Sequence, residues 1–248
     1  VLVSVSFAPI LLSVSRVPVF NSSKMMSVSQ LYKTSPLCSV TMLLIGGVYS
    51  LLFGMSAVYG VEKGFSVKEI SVLVGSIYVA GVLLQYPVGL ISDRTDRRML
   101  IIFLATIGFL GAIVGLIFAK SFYFALFFFF IMGGVANPLY SVVIAYTNDY
   151  LHTDDMASAA GGLVFMSGLG GIFMPIITGQ FMNLYGPEAF IVMLGLIFSV
   201  IISYGFYRTT KRAIPSVELS TAHISIMPQA TNVAVELSQE ATIESNND

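Results

Sequence analysis

The stretch Gly89-Leu90-Ile91-Ser92-Asp93-Arg94-Thr95-Asp96-Arg97-Arg98 places three arginines and two aspartates between two long apolar segments. Only 10% of the 248 residues are charged, so this short loop is a marked concentration of charge. A helix of about 20 apolar residues is long enough to cross the hydrocarbon core of a bilayer. A short charged connection between two such segments therefore predicts a helical hairpin in a membrane.

The composition of the whole chain favours the same location. Hydrophobic residues make up 56% of the chain and the mean hydropathy is +0.88, whereas a soluble domain contains about 45–50% apolar residues. The formal net charge of −1 gives no reason to expect nucleic acid as a partner. The single cysteine, Cys38, allows no internal disulfide and no cysteine cluster, so we expect no metal and no cofactor.

Six segments are apolar enough to span a bilayer as helices, and none contains Asp, Glu, Lys or Arg. They cover residues 40–60, 70–92, 99–119, 122–146, 158–184 and 190–207. Backbone amides within hydrocarbon must find their partners inside the segment, which favours helices. The predicted fold class is an all-α membrane protein with six transmembrane helices.

Glycine and serine, with one glutamine and one proline among them, recur at every fourth position in three of these segments, which predicts faces of close helix packing. The three stripes are Gly46, Ser50 and Gly54; Gly81, Gln85 and Gly89; and Ser167, Gly171, Pro175 and Gly179.

Basic residues are distributed unequally between the two sides of the predicted bundle. One side carries nine, Arg16, Lys24, Lys33, Arg94, Arg97, Arg98, Arg208, Lys211 and Arg212, and the other carries three, Lys63, Lys68 and Lys120. The richer side is expected to be cytoplasmic. Tyrosines near the segment ends are predicted to anchor the helices at the membrane surfaces: Tyr59, Tyr123, Tyr185 and Tyr207.

The regions around the six-helix bundle, residues 39–207, have different expected roles. Residues 1–13 form an apolar run without a preceding basic region, so we interpret them as the end of an earlier transmembrane helix and expect the chain to be a fragment. Residues 14–38 are predicted to be a flexible cytoplasmic linker. Residues 208–248 are polar and are expected to form a disordered cytoplasmic tail.

The charged loop resembles the signature loop of the major facilitator superfamily of solute transporters, whose pattern is G-x-L-a-D-r-x-G-r-k-x-x-l. The residues in step with it are Gly89, Ile91, Asp93, Arg94, Arg97, Arg98 and Ile101, while Asp96 replaces the second glycine. Further motifs are similar to a bacterial branch, the YcaD-like transporters. They are Gln85-Tyr86-Pro87-x-Gly89, Asn148-Asp149-Tyr150-Leu151 and Gly168-x-Gly170-Gly171-x-x-x-Pro175.

The resemblance implies the C-terminal six-helix half of a twelve-helix bundle, located in a bacterial inner membrane with both ends of this chain in the cytoplasm. Such a protein moves a small solute through the lipid bilayer by alternating access, with the solute near the midplane between the two halves. The six segments contain no carboxylate. If protons drive the transport, we expect the titrating group in the preceding half. We interpret Asp149, close to the cytoplasmic mouth, as solvated surface.

The charged loop is the first candidate site. A carboxylate at Asp93 can face a neighbouring helix N-terminus or pair with Arg97, and such interactions contribute about 0.3–2 kcal/mol, enough to bias a two-state equilibrium. The resemblance implies a conformational latch made by Gly89, Asp93, Arg94, Asp96, Arg97 and Arg98. The alternative is that the three arginines only determine topology.

Polar and aromatic residues within the segments are the second candidate site, because polar groups there are costly unless they line a cavity or pair across helices. By analogy with the family, the first and fourth segments line the cavity. The substrate-lining candidates are Tyr49, Ser50, Phe53, Asn137, Tyr140 and Gln85. Hydrogen bonding between helices is the alternative role for Asn137, and packing is the alternative for Gln85.

Three other functions compete with transport by a twelve-helix protein. An enzyme is disfavoured, because the chain has no H-E-x-x-H, no G-x-S-x-G and no paired carboxylates within the segments. A channel subunit is disfavoured because an arginine-rich voltage-sensing helix and a T-V-G-Y-G-like filter are both missing from the sequence. A stand-alone six-helix half that acts as a dimer remains open.

Overall fold

The computed structural model describes residues 26–118, 121–151 and 153–210, which fold into seven helices and no strand within those ranges. The helices are α1 Val28–Thr34, α2 Pro36–Glu62, α3 Val67–Ser92, α4 Arg97–Ile117, α5 Phe122–Asn148, α6 Thr153–Tyr185 and α7 Glu188–Thr209. Helix α2 consists of α-helical Pro36–Ser50, π-helical Leu51–Met55 and α-helical Ser56–Glu62. Helices α2 to α7 are long and apolar enough to cross a membrane, which confirms the predicted fold class.

The observed helices extend past most of the predicted segments, because the helix ends contain polar capping residues that an apolar run leaves out. Helix α3 begins at Val67 rather than at residue 70, since Ser66 and Glu69 form a capping box. Helix α2 begins at Pro36, at a first-turn position that suits proline. Residues 1–25 and 211–248, which include the predicted preceding helix and most of the tail, lie outside the described residues.

The last part of the predicted linker contains the short helix α1. Ser27 and Gln30 form a capping box at the start of α1. Leu31 is fully buried, and its side chain lies next to Gly162 of α6. A short helix is marginal by itself, so packing of Leu31 on the bundle accounts for α1.

We call the end of the bundle that carries the Asp93–Arg98 loop the loop end, and the opposite end the far end. Helices α3 and α5 both run from the far end to the loop end, in close contact. A side chain on Gly133 would collide with the backbone of Ile77, and one on Gly81 would collide with Asn137. Gln85 donates to Ser141 at 3.4 Å, and these two residues are 56 positions apart in the sequence. The Ile77–Gly133 and Gly81–Asn137 pairs have the same separation, so the two helices keep one register along their length.

Helices α2 and α6 form a second parallel pair. A side chain on Gly46 would collide with the backbone of Ser167, and Ser50 Oγ donates to the carbonyl of Gly171 at 2.8 Å. The stripe does not continue to Gly54 as predicted, because the π-helical turn inserts an extra residue. Met55 takes the next contact, lying beside Gly179, and Gly54 is left exposed with open space above its Cα.

Helices α4 and α7 pack against each other.

Helices α2 and α5 are the most enclosed helices of the bundle. In the most apolar 18-residue part of each helix, 78% of residues are buried in α5 and 72% in α2, against 28% in α3 and 17% in α6. Residues exposed on α3 include Tyr78, Val82 and Tyr86; those on α6 include Phe165, Ile172, Phe173 and Ile176. Helices α3 and α6 therefore present the broad apolar faces of the bundle.

One predicted surface anchor is wrong. Tyr123, Tyr185 and Tyr207 are exposed near helix ends, but Tyr59 is fully buried. Its ring stacks on Phe190 at 5.1 Å between centroids and lies 5.7 Å from Phe129. The position of Tyr59 near the end of the segment suggested the membrane surface, whereas its side chain is part of the core.

Candidate functional site: a buried arginine at the loop end and an aromatic cluster

Arg97, the first residue of α4, is the centre of the charged loop and is only 2% exposed. Its guanidinium forms ion pairs with Asp149 and with Asp93, the latter at 3.4 Å. It also donates to Ser92 Oγ at 3.3 Å and to the carbonyl of Ala145 at 3.4 Å. We call this set of contacts the Arg97 clamp, because one side chain joins the ends of three helices.

The electrostatic basis of the clamp is the position of the two carboxylates. Asp93 and Asp149 are the C-cap residues of α3 and α5, where the helix dipole is negative and a carboxylate is unfavourable. The cation of Arg97 lies between these two negative ends and offsets both. Hydrogen bonds with charged partners are the strong ones in proteins, so we expect the clamp to fix the relative positions of α3, α4 and α5.

Our interpretation of Asp149 as solvated surface is wrong. Its side chain is 3% exposed and is paired with Arg97. The sequence contains a pattern that could have indicated this ion pair. Asp93 and Asp149 are the C-cap residues of two parallel helices and have the same separation in sequence as Gln85 and Ser141, which are in contact. Without a reason to pair α3 with α5, that pattern could not be used.

The other residues of the loop have separate environments. Asp96 caps α4, its side chain accepting a hydrogen bond from the amide of Arg98 at 2.9 Å, which gives a local reason for aspartate at the second glycine position of the motif. Arg98 is 2% exposed and donates from Nε to the hydroxyl of Tyr146 at 3.1 Å. Gly89 is buried in the last turns of α3. Arg94 is exposed and is not part of the clamp.

Four of the six substrate-lining candidates lie together. The hydroxyl of Tyr49 donates to Asn137 Oδ1 at 2.9 Å. The ring of Tyr49 stacks on Phe53 at 5.4 Å and meets Tyr140 edge-on at 5.8 Å. Asn137 Nδ2 donates to the carbonyl of Gly133 within its own helix at 2.9 Å. Tyr78 of α3, which the sequence did not single out, joins this aromatic cluster at 4.9 Å from Phe53.

The remaining two candidates make packing contacts between helices. Ser50 faces α6, where it bonds to Gly171. Gln85 is 7% exposed and bonds to Ser141 of α5. The structure therefore brings Tyr49, Phe53, Asn137 and Tyr140 together and places Ser50 and Gln85 apart from them.

An ion pair joins α2 to α7 at the far end of the bundle. Lys63, at the end of α2, contacts Glu188, in the first turn of α7, at 2.6 Å. Within the described residues, no group of three or more His, Cys, Asp or Glu side chains is placed to hold a metal ion. Among the described residues, the Arg97 clamp and the aromatic cluster provide polar, aromatic and charged contacts rather than a set of reactive groups.

Comparison with known proteins agrees with the resemblance of the charged loop to a transporter family. A family model described as the Major Facilitator Superfamily matches residues 37–235. Similar proteins include the uncharacterized MFS-type transporters YfkF of Bacillus subtilis, 25% identical over 142 residues (56% of this chain, 36% of the relative), and YcaD of Escherichia fergusonii, 22% identical over 152 residues (60% and 38%). An uncharacterized MFS-type transporter of Yersinia pestis is 25% identical over 160 residues (63% and 39%). The chain spans less than two-fifths of the length of these relatives.

Proposed function

Because the chain belongs to the major facilitator superfamily and is a multi-pass membrane protein, we propose that it forms one six-helix half of a secondary active transporter that moves a small solute by alternating access. Its relatives are described as MFS-type transporters, and we propose transport rather than an enzymatic reaction as the function of this chain. A second six-helix half would complete the molecule, either upstream in the same polypeptide or in a second copy of the chain. The loop end is proposed to face the cytoplasm of a bacterial inner membrane.

The apolar faces of α3 and α6 are the proposed contact with the second half. These two helices are the least enclosed, with 28% and 17% of residues buried in their most apolar parts. The exposed part of α2 lies between them, since Phe53 contacts Tyr78 of α3 and Met55 lies beside Gly179 of α6. A solute held between the halves would meet this face of α2, including the exposed Gly54.

The aromatic cluster is the proposed contribution of this half to the solute site. The hydrogen bond between Tyr49 and Asn137 joins α2 to α5, the two most enclosed helices. Polar groups at this depth are costly unless they are paired or face a cavity. A solute that forms a hydrogen bond with Tyr49 or Asn137 would replace the hydrogen bond between these two side chains. Solute binding would in this way change the packing of α2 on α5.

The Arg97 clamp is the observation that carries the mechanism. We expect its contacts to hold the loop ends of α3, α4 and α5 together as one body, as movement of whole halves in alternating access would require. Within this body the side chain of Asp93 is 39% exposed, whereas that of Asp149 is 3% exposed. We propose that Asp93 is the latch group, held in place by Arg97 and accessible to the second half, and that Asp149 only positions Arg97.

The test is the uptake of solutes into vesicles by the complete gene product and by its Asp93→Asn variant. The probes are radiolabelled sugars, amino acids and organic cations. For the solute that wild-type protein transports, Asp93→Asn should lower the rate at least tenfold, corresponding to about 1.4 kcal/mol in the equilibrium between states, while the amount of protein in the membrane stays the same. An unchanged rate in the variant would contradict the role of Asp93 as a latch.

A further inference from the structure

A small cleft opens at the loop end where α2 and α4 begin and α7 ends. The residues lining it are Ser35, Pro36, Leu37, Arg98, Tyr146 and Arg208. The cleft has about 220 Å³ of empty space, which includes open solvent at its mouth, and about 10 Å³ of it can hold the centre of a water-sized sphere. That inner space is about enough for one water-sized group. The cleft therefore admits one oxygen atom of a ligand group, and the rest of that group lies at the open mouth.

The side chains lining the cleft are strongly positive. Arg98 is 2% exposed, and Arg208 lies in the last turn of α7. The lining contains no carboxylate, and within the described residues Arg208 forms no ion pair. Hydrogen bonds between a guanidinium and an oxyanion are charge-assisted and strong. Two arginines beside one small space therefore suit a bound anion.

The start of α2 adds a third source of positive potential. The first amides of a helix have no acceptor within the helix, and its N-terminus attracts anions. Here the cap residue, Ser35, is 2% exposed and lines the cleft, but its side chain caps no amide of the helix. A serine hydroxyl has one O–H donor, which can bond to an oxyanion in the cleft.

We propose that this cleft binds the phosphate group of an anionic membrane phospholipid. The cleft is lined by the ends of α2, α4, α5 and α7, which are all long enough to cross the membrane, so it lies at the level of the lipid headgroups. Phosphate is the anion present at that level at the highest density. A headgroup such as phosphatidylglycerol is preferred to phosphatidylcholine, because the two arginines would repel the choline cation. The site is separate from the proposed solute site and does not depend on it.

The experiment measures the thermal midpoint of the purified complete gene product in detergent, with increasing phosphatidylglycerol or phosphatidylcholine. Phosphatidylglycerol should raise the midpoint in a saturable manner, and phosphatidylcholine should not. Arg208→Gln should weaken the apparent affinity for phosphatidylglycerol at least tenfold. The matched control is Lys33→Gln, which removes an exposed cation from α1 outside the cleft lining and should change the affinity less than twofold.

A second variant covers the case in which Arg208→Gln fails to fold. Ser35→Asp introduces another residue type that is favoured at helix N-caps and places a carboxylate at the cleft, so it should fold and no longer respond to phosphatidylglycerol. A full response in Ser35→Asp, or an equal loss in Arg208→Gln and Lys33→Gln, would overturn the site. An equal response to inorganic phosphate at the same concentration would overturn the lipid as its source.

Discussion

At the scale of single residues, the three arginines of the loop have different environments, although all three belong to the same short charged motif. Arg97 and Arg98 are buried at 2% exposure, and Arg94 is exposed. A positive-inside rule would count all three equally. The motif indicated that the loop has a function. The ion pair between Asp93 and Arg97 could be predicted from their spacing of four residues. The partner Asp149 could not, because it lies on a distant helix.

This difference predicts unequal effects of the same substitution. Arg97→Gln would leave Asp149 buried without its cation, and breaking a buried ion pair in this way typically costs about 3–5 kcal/mol. The free energy of unfolding of the purified complete gene product should fall by an amount of that order. Arg94→Gln, three positions earlier, should change it by less than about 0.5 kcal/mol. Equal effects of the two substitutions would mean that the clamp does not stabilise the bundle.

At the scale of helices, the pairings depend on small residues at fixed registers. The stripes predicted close packing correctly at Gly46, Ser50, Gly81 and Gln85. The prediction failed at Gly54, because a π-helical turn changes which residue faces α6, and a rule of four residues cannot detect an inserted one. Such turns are frequent at functional sites, and this one follows Tyr49 and Ser50 directly.

Two glycines of α6 provide a test of this packing. A side chain on Gly170 would collide with the backbone of Leu43 of α2, whereas one on Gly168 meets nothing within 4 Å. Gly170→Ala should therefore destabilise the protein by about 1–3 kcal/mol, the usual cost of overpacking. Gly168→Ala should be neutral or slightly stabilising. The comparison is made by unfolding both variants of the complete gene product in detergent, and a destabilisation of Gly168→Ala equal to that of Gly170→Ala would contradict the contact between α2 and α6.

At the scale of the whole molecule, the number of spans and the fold class followed from hydropathy alone, because six apolar segments have few alternatives in a membrane. Which helices lie at the centre did not follow, since all six are similarly apolar. The enclosure of α2 and α5 and the open faces of α3 and α6 result from packing. The open faces of α3 and α6 support the proposal that this bundle packs against a second half. The face of α2 around Gly54 would then lie between the two halves.

The most direct test of that account is the accessibility of a cysteine at Gly54, where a side chain has open space. In the complete gene product with Cys38→Ala, membrane-impermeant maleimide is applied to one side of the membrane at a time. Lys68→Cys and Arg94→Cys, at opposite ends of the bundle, report the two sides and should each react from one side only. Alternating access predicts that Gly54→Cys reacts from both sides. Reaction from one side only, or from neither, would contradict the account.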